Sequence, residues 1–358
     1  MDFRYSTEQD DFRASLRCFL SEHTRMREAP HDERLWKRLC TELELPALHA
    51  PPEYGGIGGT LVETAIAFEE LGRALAPVPF AATTFAGEAI LRLGDDEQRK
   101  SRLPDLFSGE QIGALAASGH RVTDASAATV RAQRQGGRVV LTGECTPVLH
   151  GGVADLFVVP AVVEGTVRLH VVAADAPGVT VISLPSFDIT RPVATLHLDQ
   201  APADALAAGT PDDVQRVLDV ARVLLAAEML GGAEACLQLS VEYACSREQF
   251  GRRIGSFQAI KHACAEMLIE IDATRAAVMF AAMSAAGGDE LHIAAPLVKA
   301  QAADTYVSCA GAAIQIHGGI AFTWEHDLHL YLRRAKSTEA LFGSSTRNRA
   351  LLADRAGI

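Results

Sequence analysis

The sequence has no paired cysteines. Its seven (Cys18, Cys40, Cys145, Cys236, Cys245, Cys264 and Cys309) are scattered, odd in number and form no CxxC. That argues against a disulfide framework and predicts buried free thiols in a reducing compartment. No run of 18 uninterrupted apolar residues occurs, so no membrane span is expected. The N-terminus, MDFRYSTEQDDFR, is charged and has no apolar signal core, which points to a cytoplasmic protein. Positive charge is in deficit: 33 Lys and Arg against 45 Asp and Glu leave a formal −12. That balance argues against nucleic-acid binding and requires any anion site to be a local basic patch. There is also no GxGxxG. The glycine-rich stretch PPEYGGIGG (51–59) follows no strand and reads as a loop, not a dinucleotide fingerprint.

What is present is an ordinary globular balance, 48% hydrophobic and 22% charged, in 358 residues, enough for two or three domains. Three textures follow one another. Residues 1–115 read as a helical domain: FRASLRCFLSEH has helical spacing, and Thr60 with Glu63 forms a capping box opening TLVETAIAFEELGRAL. Residues 116–209 hold short valine-rich runs such as RVVLTG, DLFVVPAVV and VRLHVVAAD, separated by Gly, Pro and Asp. These predict an antiparallel sheet or barrel of five to seven strands. Residues 210–358 are helical again. Thr210, Pro211 and Asp213 start a helix that runs to about Ser246, a rod of roughly 50 Å. Two further long helices are expected near 256–286 and 289–316, packed as a bundle that favours an oligomer. The fold class is therefore α+β with segregated domains.

Two stretches could carry chemistry. In YACSREQFGRRIGSFQAIKH (243–262), Arg247, Arg252 and Arg253 sit at a helix end, where cations are favoured electrostatically. The same arginines, with Phe250 beside Gly251, could clamp phosphate oxygens and stack a ring on a flat cofactor. In AIQIHGGIAFTWEHDLHLYLRR (313–334), Gln315 precedes Gly318-Gly319, a glycine helix end. His317, His326 and His329 lack a convincing ligand geometry, so no metal is expected.

PPEYGGIGG, SREQFGRRIGSFQ, QIHGGIAFT and LRRAK, at these separations, resemble the acyl-CoA dehydrogenase family over nearly the whole chain. The resemblance implies FAD-dependent α,β-dehydrogenation of an acyl-CoA thioester, with an electron-transferring flavoprotein as acceptor. A desolvated carboxylate removes the α-proton, and hydrogen bonds stabilise the enolate-like charge. Against that pattern three parts are missing. The usual Glu before a Gly-Thr/Ser turn is Phe342, followed by Gly343 and Ser344, and the alternative base position early in the long helix is Ala221, before Arg222. In ASGHRVTD (117–124) only Thr123 and Asp124 match. In GECTPVLHGG the flavin-side aromatic and hydroxyl are replaced by Pro147 and Leu149.

The set that in the family reaches a neighbouring subunit's FAD is retained: Arg247, Phe250, Gln258, Gln315, Gly318 and Gly319. The resemblance thus implies a non-catalytic subunit of an α2β2 heteromer, acting on sterol side-chain CoA thioesters with a homologous partner that carries the base. The alternatives are a self-sufficient dehydrogenase using Glu339 or Glu228, and a homodimer that holds acyl-CoA or FAD without turnover. Arg222 and Thr123 are the candidate substrate contacts.

Overall fold

The computed structural model describes residues 4–117, 119 and 121–358. The N-terminal region folds as α1 (Thr7–His23), α2 (Glu33–Thr41), α3 (Leu61–Arg73), α4 (Phe80–Leu93) and α5 (Asp96–Ser108). Local chemistry fixes the boundaries. The Thr60 hydroxyl accepts from the Val62 amide at 3.1 Å, and the Glu63 carboxylate accepts from the Thr60 amide at 2.8 Å, closing the expected capping box of α3.

The β region holds β1 (Gly113–Leu115), β2 (Val130–Gln135), β3 (Arg138–Leu149), β4 (Leu156–Val163), β5 (Thr166–Ala173), β6 (Val179–Leu184) and β7 (Val193–Ala205). They form one seven-stranded sheet in which β7 pairs with β3, β5 and β6. The sheet is mixed, not purely antiparallel: β1 and β2 each pair with β4 in parallel. β1 arrives directly from α5, so its direction is set by the helical domain and not by a hairpin. Pro147 falls between Cys145 and Val148, where the β3–β7 register shifts. A residue without an amide proton is tolerated in a strand at such an irregularity.

The third region is the long-helix bundle: α6 (Pro211–Ser246), a small hairpin β8 (Glu248–Gln249) and β9 (Arg252–Arg253), α7 (Gln258–Gly287), α8 (Leu291–His317), α9 (Leu328–Ala340) and α10 (Ser345–Ala356). Helix α6 is the axis of the molecule. It meets α3 so closely that a Cβ on Gly72 would lie 2.2 Å from the Glu228 carbonyl oxygen, and one on Gly231 would lie 1.8 Å from that of Glu69. Glycine is required at this crossing because the two backbones touch. No helix among the described residues is long and apolar enough to cross a membrane. Of the seven cysteines, Cys40, Cys145, Cys236 and Cys309 are buried, whereas Cys18 and Cys245 are exposed and Cys264 is half-buried, so burial of the free thiols is only partial.

Candidate functional site

Between α9 and α10 the chain makes the turn Phe342-Gly343-Ser344. Phe342 takes φ +54° and Gly343 φ +97°. A bulky residue in left-handed backbone is strained and persists only where its surroundings impose it. They do so here. The Phe342 carbonyl accepts from Arg222 Nε at 3.3 Å. Asn348 Nδ2 donates to the Gly343 carbonyl at 2.7 Å. Lys299 Nζ donates to the carbonyls of Glu339 (3.1 Å) and Gly343 (3.3 Å). The Phe342 ring is only 2% exposed and packs edge-on to Phe85 at 5.8 Å. Phe85 stacks on Phe68 at 5.8 Å, and Phe68 meets Phe80 at 4.9 Å. This aromatic column joins the N-terminal helices to the bundle. Beside it remains a cavity of about 20 Å³ lined by Phe68, Phe80, His150, Arg191, Glu228 and Arg334. That is room for one water, not for an acyl chain.

Neither alternative acid is placed as a base. Glu339 is paired with Lys336 at 3.3 Å on the partly exposed side of α9. Glu228 is buried, with both carboxylate oxygens accepting from Arg191 Nη2 and a further bond from Arg334 Nη1 at 3.2 Å. Ala221 is 1% exposed, inside the bundle.

The two substrate candidates prove to be ends of one internal chain of hydrogen bonds. The Thr123 hydroxyl donates to Gln215 Oε1 at 3.3 Å, Gln215 Nε2 to Asp219 at 3.3 Å, and Arg222 Nη1 to Asp219 at 2.7 Å. Arg222, 1% exposed, is held by Asp219 inside the bundle. Thr123 stays half-buried at the outer end. Asp124 is engaged locally by Arg121 and Ser126. Of its segment, Ser118 and His120 lie outside the described residues. Pro147 is exposed and Leu149 is buried.

Lys299, fully buried behind the turn, is pushed down to about 7 by burial and then by nearby Arg222. A folded-state pKa below the ordinary 10.5 means that protons bind more tightly to the unfolded chain. The stability linked to this residue is complete above about pH 10.5 and lost as pH falls towards 7. The unfolding midpoint of the wild type should therefore rise with pH between those limits, by at most about 1.4 kcal/mol per pH unit from this one group. Lys299→Met should flatten the slope. An unchanged slope in denaturant titrations across that window would show that Lys299 keeps an ordinary pKa.

At the opposite end of α6 the surface has a different character. Arg247 caps the helix: its amide donates to the Tyr243 carbonyl at 2.8 Å. Its side chain is exposed and has no hydrogen bond or ion pair among the described residues. Phe250, at the tip of the β8–β9 hairpin, is 91% exposed. Arg252 lies over the Phe257 ring at 4.0 Å. Among the described residues Gln258 bonds only to His262, at 3.3 Å, and Gln315 is exposed. Stacking of Tyr243 on His317 (4.3 Å) brings the end of α6 beside the end of α8, so Arg247 and Gly318-Gly319 share one rim. A Cβ on Gly319 would meet nothing within 4 Å. Its φ is not left-handed, so neither backbone nor packing within this chain demands glycine there. His317 contacts His326 (4.8 Å) through their rings, and its Nδ1 lies 2.9 Å from the Ala313 carbonyl oxygen. Among the described residues no group of three or more His, Cys, Asp or Glu could hold a metal.

A helical domain, a small β domain and a long-helix bundle are the parts of the acyl-CoA dehydrogenases, flavoprotein oxidoreductases acting on the CH–CH group of acyl-CoA thioesters. The model "Acyl-CoA dehydrogenase, N-terminal domain" matches residues 6–110 and "Acyl-CoA dehydrogenase, C-terminal domain" matches 211–357. The chain belongs to the acyl-CoA dehydrogenase family. It is 37% identical to acyl-CoA dehydrogenase IpdE2 of Mycobacterium tuberculosis over 88% of this chain and 84% of that protein. Among solved structures it resembles the ChsE4-ChsE5 complex of Mycobacterium tuberculosis (TM-score 0.92, 28% identity, 100% of this chain and 99% of that one). It also resembles a variant of the Tcur3481-Tcur3483 steroid acyl-CoA dehydrogenase (TM-score 0.90, 30% identity, 98% of each chain). Members of the family are FAD-binding flavoproteins, as the resemblance implied.

Proposed function

We propose that this chain is the non-catalytic subunit of a heteromeric acyl-CoA dehydrogenase. A homologous partner would hold the base and the flavin-ring pocket, and this chain would complete the partner's FAD site. One contrast carries the reading. The base position is taken by a buried phenylalanine in a closed turn, while Arg247, Phe250, Gln258, Gln315, Gly318 and Gly319 face outward with little or no engagement in their own chain.

In this reading Arg247 offers a guanidinium to the pyrophosphate, as planar forks do for phosphate oxygens. Phe250 lays its ring against a flat portion of the cofactor, and Gly318 and Gly319 let it approach the backbone. The partner's carboxylate would take the α-proton, and FAD, when bound, would supply the redox chemistry. The substrate class proposed is a sterol side-chain CoA thioester. It is supported by relatives described as a steroid acyl-CoA dehydrogenase and as a two-component complex. The electron acceptor proposed is an electron-transferring flavoprotein, and the assembly an α2β2 tetramer located in the cytoplasm.

The test is expression of this chain alone and together with a homologue bearing an acid at the position of Phe342 or Ala221. The chain alone should be colourless and inactive, and the pair should carry FAD and oxidise the thioester. A yellow, active homomer would overturn the proposal. Arg247→Ala in the co-expressed pair should lower bound FAD several-fold, and unchanged flavin content would remove Arg247 from the site.

A further inference from the structure

The rim that carries Gly318 and Gly319 continues as a connector to α9, residues 318–327, and the N-terminal domain holds it. Arg27 sits in the turn between α1 and α2, some 300 residues away in sequence. Its Nε donates to Asp327 Oδ1 at 2.6 Å, its Nη2 to the His326 carbonyl at 2.8 Å, and its Nη1 to the Trp324 carbonyl. One guanidinium thus engages three successive acceptors along the connector, a forked arrangement that fixes orientation as well as distance. From the bundle side, Arg333 lies over the Trp324 ring at 5.3 Å and over the Phe187 ring at 5.3 Å. Inside the connector the Thr323 amide and hydroxyl both bond to the Ile320 carbonyl, at 3.1 and 2.9 Å.

These bonds hold a segment that gains little from burial. Phe322 is 72% exposed, Trp324 60% and Ile320 43%. A connector with so little apolar cover keeps one shape only through polar anchors. The Arg27 anchors fall at Trp324, His326 and Asp327, joined to the outward-facing glycine pair through the Thr323–Ile320 turn.

We propose that Arg27 is a positioning residue for FAD capture: it fixes the 318–327 connector so that Gly318 and Gly319 present their backbone at one distance and angle to the cofactor. This rests on the reading that the rim completes a partner's FAD site. Arg27 itself does not touch the cofactor. Sequence patterns give no hint of the role, because the contact joins an exposed turn of one domain to a loop of another.

The test uses the co-expressed complex stripped of FAD and titrated with free FAD, followed by flavin fluorescence. Arg27→Leu should raise the dissociation constant about tenfold, with turnover at saturating FAD unchanged, and Arg27→Lys should recover only part of the loss. Arg38→Leu is the control. Arg38 pairs with Glu42 on the same domain and is similarly exposed, but does not reach the connector. Its affinity should match wild type, and both variants should unfold at similar denaturant concentrations. Equal FAD affinity in Arg27→Leu and wild type would overturn the positioning role. If Arg247→Ala also left affinity unchanged, the rim itself would be the wrong site. Loss in Arg247→Ala but not in Arg27→Leu would sink only the present inference.

Discussion

Glu228→Ala is expected to lower the unfolding free energy by about 3–5 kcal/mol, the usual cost of removing one partner from a buried ion pair. The carboxylate stands between two guanidiniums. Arg191 binds both of its oxygens and Arg334 a third time at 3.2 Å, while Arg334 also engages Asp188 and, at 2.6 Å, the Thr190 hydroxyl. Arg191 in turn donates to Thr338 at 2.9 Å. Every member of this network is at most 5% exposed. Without Glu228, burial and mutual repulsion of the two arginines are uncompensated; the Arg191 pKa is already pushed down by burial and by Arg334. The network joins the β-domain loop 188–191, α6 and α9, so its loss loosens all three regions at once. Denaturant midpoints of wild type, Glu228→Gln and Glu228→Ala should fall in that order with similar slopes. A change under about 1 kcal/mol would mean that the site is hydrated. Glu228→Gln in the co-expressed complex should keep turnover per folded molecule. Loss of turnover without loss of fold would restore Glu228 as a base.

Phe342 is the second position with a large expected effect. Phe342→Ala should cost about 3–5 kcal/mol, because the aromatic column cannot close over the space left by a buried ring. Phe342→Glu restores the residue type that the family resemblance associates with proton abstraction, yet it should not create activity in this chain alone. Two features stand against it: an acid there meets Phe85 at the column's end, and Pro147 and Leu149 stand where the family resemblance expects the flavin-side aromatic and hydroxyl. Acyl-CoA oxidation by purified Phe342→Glu homomer, at a rate well above wild type, would show that only the carboxylate was missing. Phe342→Ala, which opens space without adding an acid, separates lost packing from gained chemistry in the same assay.

Much of the fold is legible in the chain because it is set by local signals. The Thr60–Glu63 and Thr210–Asp213 capping boxes, the breaker APVP and the valine-rich runs are contiguous, and each element ends where its own chemistry changes. The three-part order of helices, sheet and long-helix bundle follows from them. The parallel pairing of β1 and β2 with β4 is not legible this way, because strand direction is set by where the chain enters the sheet. The outward set of Arg247, Phe250 and the glycine pair was visible as motifs; its orientation was not.

The sequence by itself determined that Phe342 and Ala221 carry no carboxylate, that a helix-end arginine cluster survives on an acidic chain, and where the helices capped by Thr60 and Thr210 begin. Only the tertiary structure decided that Arg222 is held within the chain by Asp219, that Glu228 is locked between two arginines, that Lys299 staples the turn at Phe342, and that Arg27 reaches the connector 300 residues on. The physical reason is that residue type is a property of a position, while the availability of a charge depends on what the fold brings within about 3 Å of it. That partner is distant in sequence in nearly every one of these cases.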